Sequence, residues 1–107
     1  MSLATDANLI SITLFTPKPE HFDTFVDLQL ENLPRLGSVS RSRGAQFYVA
    51  KDGHRAMLVS FFENETVLRD FQQSEDFRAH RDRLQTLIES AESGFYTLAY
   101  ERTVQPA

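Results

Sequence analysis

His80 and Gln29 are polar side chains that fall where helical periodicity calls for a dry surface. His80 stands three residues after Phe77 and four before Leu84, on a stripe that continues through Leu87, Ile88 and Ala91. Gln29 interrupts a second stripe made by Phe22, Phe25, Val26, Leu33 and Leu36. An imidazole facing a cavity is a general base near neutral pH. A buried amide without partners costs about 1–3 kcal/mol, so either something hydrogen-bonds Gln29 or the stripe opens onto a cavity there. Each residue also has a plainer reading. His80 is then a core histidine satisfied by a backbone carbonyl or a Tyr hydroxyl, and Gln29 sits at a rim with its amide reaching water. Arg81 and Arg83 follow His80, and Arg81 lies nearer to the stripe. At a pocket rim such a guanidinium steadies an anion or phenolate; on a solvated flank it pairs with Asp82 or a glutamate. Glu63 and Asn64 precede a helical run, as site residues or as its cap.

Other chemistries find little support. The histidines His21, His54 and His80 fall on a helix start, a turn and a helix middle, and no two share a ligand spacing. Asp76 and His80 at i,i+4 offer two ligands, too few for a metal, so no metal site is expected. The chain has no Cys, which excludes disulfides, thiolate metal sites and a cysteine nucleophile. It lacks a G-x-S-x-G elbow, a Gly-rich phosphate loop and a dinucleotide fingerprint. Eleven Lys and Arg against 15 Asp and Glu leave a net charge of −4, a poor match for nucleic acid. The apolar stretch over residues 9–15 has no basic residues before it and is too short for a signal peptide. Nothing approaches the roughly 20 apolar residues of a membrane span. The expected compartment is the cytoplasm.

These candidates need elements to position them. Residues 9–16 alternate and are rich in β-branched side chains, which predicts a strand. Pro19 and Glu20 suit the first turn of a helix. Its apolar stripe runs from Phe22 to Leu36, and Pro34 with Gly37 is expected to end it near residues 33–36. A strand with a weak, polar start is expected over 39–51, with Gly44 marking a bend. Asp52-Gly53 reads as a hairpin turn into a strand over 55–62. Asn64 caps a short helix carrying Val67, Leu68 and Phe71, and Ser74 caps the stripe of Phe77 and His80. Gly94 is read as that helix's stop, and a last strand is expected over 95–102.

The order is β-α-β-β-α-β. It predicts one domain over 1–107, with an ordered core at about 8–103, of the α+β class: a ferredoxin-like fold with a four-stranded antiparallel sheet. Two helices cover one face of that sheet, yet the strands are apolar on both. Met57, Val59 and Phe61 oppose Leu58 and Phe62, while Ile10, Ile12 and Leu14 oppose Leu9 and Phe15. A large exposed apolar patch marks an interface, so a homodimer with its sheets packed face to face is expected. The plainer alternative is a second face made semi-polar by Ser11, Thr13 and Thr97 that tolerates water.

Several segments, spanning about residues 9–102, carry a family resemblance. Lys18-Pro-Glu-His-Phe22, the junction from Val59 through Ser-Phe-Phe-Glu-Asn-Glu-Thr-Val to Leu68, and Ser74-Glu-Asp-Phe-Arg-Ala-His80 stand in the order and spacing of one family. The chain resembles the antibiotic biosynthesis monooxygenase domain, and the resemblance implies a dimeric α/β barrel. Some members oxidise polycyclic phenols or quinols without a cofactor, others degrade heme, and many have no known reaction. Heme-degrading relatives use an Asn on the first strand with a Trp and a His on the second helical region. Here the first strand has no Asn, Phe71 stands in the Trp place and Arg81 in the His place, which argues against heme breakdown. Anthrone-oxidising relatives use Asn and Trp around the junction; Asn64 lies near that place, and the chain has no Trp.

The expectation is therefore a monooxygenase without metal or flavin, acting on a small phenol or quinol bound between helices and sheet. His80 removes a proton, Asn64, Gln29 or Tyr48 holds the oxygen, Arg81 steadies the anion, and Phe62, Phe71 and Phe77 wall the pocket. The alternative is a non-catalytic dimer of the same fold that binds a small ligand or regulates.

Overall fold

The computed structural model describes residues 9–104. Strand β1 (Leu9–Pro17) leads through a 3-10 turn at Pro19–His21 into α1 (Phe22–Ser40). The hairpin β2 (Gly44–Val49) and β3 (Ala56–Phe62) follows, then α2 (Glu65–Gln72), α3 (Glu75–Gln85) and β4 (Ile88–Tyr96). The sheet order is β2-β3-β1-β4 and every pairing is antiparallel. This is the ferredoxin-like α+β arrangement expected from the order of elements.

Local chemistry explains the elements. Asp52 and Gly53 turn the hairpin: Gly53 takes φ 75°, the Gly53 N–H donates to the Ala50 carbonyl, and the Asp52 carboxylate accepts from the His54 N–H. Asn64 Oδ1 accepts from the Val67 N–H at 3.0 Å, and Ser74 Oγ accepts from the Phe77 N–H at 3.2 Å, so both helices begin on a side-chain cap. Asn64→Ala is expected to cost about 1 kcal/mol of stability through that lost cap. Urea unfolding checks it, and an unchanged midpoint contradicts the assignment.

Two expectations are corrected. First, α1 continues through Pro34 and Gly37 to Ser40. Pro34 is exposed, on the side of the helix where Leu30 is 60% exposed, so the hydrogen bond lost at Pro34 falls on the solvent side, where a helix tolerates it. The helix ends at Arg41, whose left-handed φ of 54° takes the role expected of glycine. Second, α3 stops at Gln85, and residues 88–96, not 95–102, form the last strand. The apolar spacing of Leu84, Leu87, Ile88 and Ala91 imitates one more helical turn. Main-chain pairing decides otherwise, because β4 runs along β1 from Pro17↔Ile88 to Ile10↔Tyr96. As an edge strand it needs little β-propensity of its own.

The core lies between helices and sheet. Phe25 is completely buried among Phe15, Ala56 and Leu84, with ring centroids 5.1 Å from Phe15 and 6.2 Å from Phe47. A second cluster, Ile10, Val59 and Phe61 with Ile12 and Met57, lies on the opposite face of the sheet. Register also moves Thr13, one residue of the semi-polar alternative, off the uncovered face. Thr13 pairs with Leu58 and Ser93, in line with Phe15, on the face that the helices cover. The other face carries Leu14, Tyr48 and Tyr96, each about half exposed, together with polar Gln46, Ser90 and Glu92.

Candidate functional site

Between α1, α3 and the sheet lies a cavity of about 280 Å³. Beside Phe15, Leu58 and Ile88, its sheet floor carries small or hydroxyl side chains: Thr13, Ala45, Ser60, Ala91 and Ser93. Thr13 and Ser93 hydrogen-bond across strands at 2.9 Å. Where larger residues would fill the core, these leave it open. Phe62, Phe71 and Phe77 form one wall, with successive ring centroids 6.4 and 5.0 Å apart. Leu33, Leu36 and Leu84 add aliphatic surface.

His80 and Gln29 meet at this cavity. Periodicity places Gln29 on the buried face of α1 and His80 on that of α3, and both are fully or almost fully buried. His80 Nε2 lies 2.6 Å from Gln29 Oε1. The remaining polar atoms, His80 Nδ1 and Gln29 Nε2, are buried without a hydrogen-bond partner. The rim reading of Gln29 and the satisfied reading of His80 therefore both fail. Each side chain satisfies one atom of the other and leaves one open.

Below this pair the contact between α1 and α3 stays polar. Arg35 Nη1 donates to Asp76 Oδ1 at 2.7 Å, and Arg35 Nη2 reaches Asn32 Oδ1 at 3.4 Å. Buried Asn32 donates its own amide to the Leu28 carbonyl. Burial, reinforced by the positive charges of Arg83 and Arg35, lowers the His80 pKa from 6.5 to about 4. The imidazole is thus neutral at pH 7.

This has a consequence for stability. Between pH 6.5 and 4 the unfolded chain binds a proton that the folded chain refuses, so acidification through that window favours unfolding. About 3 kcal/mol is expected to be lost across it, and none above pH 6.5. Urea midpoints for the wild type and His80→Gln check this. The variant is expected to show a flatter profile from pH 6.5 to 4, and parallel profiles contradict the assignment.

The other anticipated residues divide. Arg81 lines the cavity, and its guanidinium pairs with Asp82 at 3.7 Å, the pairing expected of a solvated flank. Tyr48 stands on the opposite face of the sheet, where its hydroxyl donates to Gln46 Oε1. Period-2 alternation in β2 turns it away from the helices. Asn64 is exposed, its Oδ1 occupied as the α2 cap, and it does not line the cavity. Glu63 is likewise exposed and pairs with Arg43. Sequence reasoning missed Asn32 and the small floor residues. Asn32 had a signal, since it falls three residues after Gln29; the pairing of Thr13 with Ser93 had none, because it depends on the β1–β4 register. Among the described residues, no group of three His, Cys, Asp or Glu side chains is placed to hold a metal ion, and no helix is long and apolar enough to cross a membrane.

The family model described as "Antibiotic biosynthesis monooxygenase" matches residues 9–83. Among solved structures, Rv0793 from Mycobacterium tuberculosis is similar with a TM-score of 0.77 at 16% identity, over 89% of this chain and 98% of that one. A conserved protein from Methanosarcina mazei Go1 is similar with a TM-score of 0.78 at 13% identity, over 91% and 98%. SnoaB, a cofactor-independent oxygenase from Streptomyces nogalater, is similar in a mutant form with a TM-score of 0.70 at 13% identity, over 87% and 94%. At these identities the likeness establishes the fold alone. No curated protein matches the sequence.

Proposed function

The chain belongs to the antibiotic biosynthesis monooxygenase family, and from that premise we propose that it is a cytoplasmic, cofactor-independent monooxygenase. Its substrate is a small phenol- or quinol-type aromatic held between helices and sheet. The observation that carries this reading is the buried His80–Gln29 pair at the wall of an apolar, aromatic-lined cavity. SnoaB, a cofactor-independent oxygenase of similar fold, supports it.

The residues act together as follows. Phe62, Phe71 and Phe77 hold the planar ring by apolar contact. Neutral His80 takes a proton from the substrate. Arg35 and Arg83 weaken His80 as a base, and with Arg81 at the wall they stabilise the anion once it forms. The electron-rich anion then reacts with O₂ directly. For a substrate whose ring methylene becomes a carbonyl, one oxygen atom enters the product and the other leaves as water. The substrate supplies all four electrons, and no external reductant is needed.

Oxygen uptake by the purified chain, with a panel of anthrones, naphthols and quinols, tests the reading. Uptake with stoichiometric carbonyl product supports it. Saturable binding of the panel without uptake supports instead a non-catalytic ligand-binding or regulatory dimer. One observation favours that second reading: a histidine whose pKa is lowered to about 4 is a weak base.

The working unit in either case is a homodimer packed through the uncovered sheet face, where apolar Leu14, Tyr48 and Tyr96 meet water in a lone chain. Sedimentation at micromolar concentration is expected to give twice the 12.3 kDa chain mass. A 12.3 kDa particle contradicts the assembly.

A further inference from the structure

The polar atoms of the His80–Gln29 contact specify more than a site. A carbonyl oxygen carries no hydrogen, so with Gln29 Oε1 as the amide atom that faces His80 Nε2, at 2.6 Å, the proton sits on Nε2. A neutral imidazole with Nε2–H has a bare lone pair on Nδ1. Nδ1 is buried and unpartnered. From this geometry we infer that Gln29 is a positioning residue, one that fixes the His80 tautomer so that Nδ1 is the atom that takes the substrate proton. The inference rests on the reading of the cavity as a place where a proton is removed, but the tautomer itself is measured without any substrate.

Three further observations support the assignment. Gln29 has no exposed surface and stands in the middle of a 19-residue helix. Its amide nitrogen is the second open atom of the pair, a donor left for an acceptor oxygen. The charged groups around His80 come from both helices: Arg83 on α3, Arg35 on α1, and Asp76 one turn before His80 and paired with Arg35. The two cations that act on the imidazole disfavour a second proton on it, so the neutral tautomer chosen by Gln29 is the state that meets the ligand. The class of ligand follows. It presents an acidic O–H to Nδ1 and a separate acceptor oxygen to the Gln29 amide, as a hydroxyaryl ketone or a hydroxyquinone does.

Long-range ¹H–¹⁵N spectra of the ¹⁵N-labelled full chain at pH 7 provide the test. His80 is expected to show a protonated-type Nε2 and a bare-type Nδ1. The reverse tautomer, or an averaged pair of shifts, overturns the inference, whatever the oxygen-uptake assay reports. Gln29→Glu places an anionic acceptor on the same Nε2–H and is expected to raise the His80 titration midpoint by at least one pH unit while retaining the tautomer. Gln29→Met, similar in size and without an acceptor, is expected to mix the tautomers. If Gln29 merely fills space, Gln29→Met leaves the tautomer as it is in the wild type, and the inference fails. Should a variant not fold, the wild-type spectrum alone decides.

Discussion

His80→Ala is expected to slow oxygen uptake by about 10²–10⁴-fold, the usual contribution of a positioned general base. The size of the effect follows from the surroundings. The cavity wall is apolar, and among the residues lining it His80 is the only histidine. Asn64, the other residue expected to act in catalysis, does not line the cavity and cannot substitute. The loss is expected mainly in kcat, because the apolar contacts of Phe62, Phe71 and Phe77 with the ring remain. The variant also loses packing on α3, so its rate is read at a temperature where circular dichroism shows it folded. Equal rates for wild type and variant would remove His80 from the mechanism.

Phe25→Ala is expected to cost about 3–5 kcal/mol, the largest stability effect of any single truncation considered for this chain. Phe25 has no exposed surface and touches rings from two strands, Phe15 on β1 and Phe47 on β2. Truncation removes both tilted ring contacts and leaves a void that α1 closes poorly, because the Gln29–His80 and Arg35–Asp76 contacts hold the helix further along. For a chain of this size the loss amounts to a melting-temperature drop on the order of 20 °C. Leu30→Ala, on the same helix but at a 60% exposed position, is expected to change stability by less than about 0.5 kcal/mol. Comparable losses in the two variants would contradict the placement of the core.

The sequence carried the helix-facing stripes clearly because their spacing is enforced by burial. Phe25, Gln29 and Leu36 fall on one side of α1 whatever happens at its end, and Phe77, His80 and Leu84 share one side of α3. The polar interruptions in those stripes marked the site, since a buried amide and a buried imidazole on facing helices need each other. That they bond directly was not legible, because spacing within one helix says nothing about which residue of another helix lies opposite. Helix ends were misread for a related reason. Pro34 removes one main-chain hydrogen bond and crowds the carbonyl four residues earlier, and on the exposed side of α1 the helix absorbs both. The polar run from Glu89 to Ser93 has poor strand propensity, and only the long pairing with β1, a tertiary fact, makes it β4. Tyr48 shows the limit of residue type alone. Its strand was expected, but the face it occupies depends on a register set by the hairpin.

The central claim is that a planar ligand with an acidic hydroxyl binds between the helices and the sheet beside His80. A crystal structure of the chain soaked with 1-naphthol tests this most directly. The account predicts the ring against Phe71 and Phe77 with its oxygen within hydrogen-bond distance of His80 Nδ1. A naphthol found only on the opposite face of the sheet, or a core closed by its own side chains with no room beside His80, would contradict it.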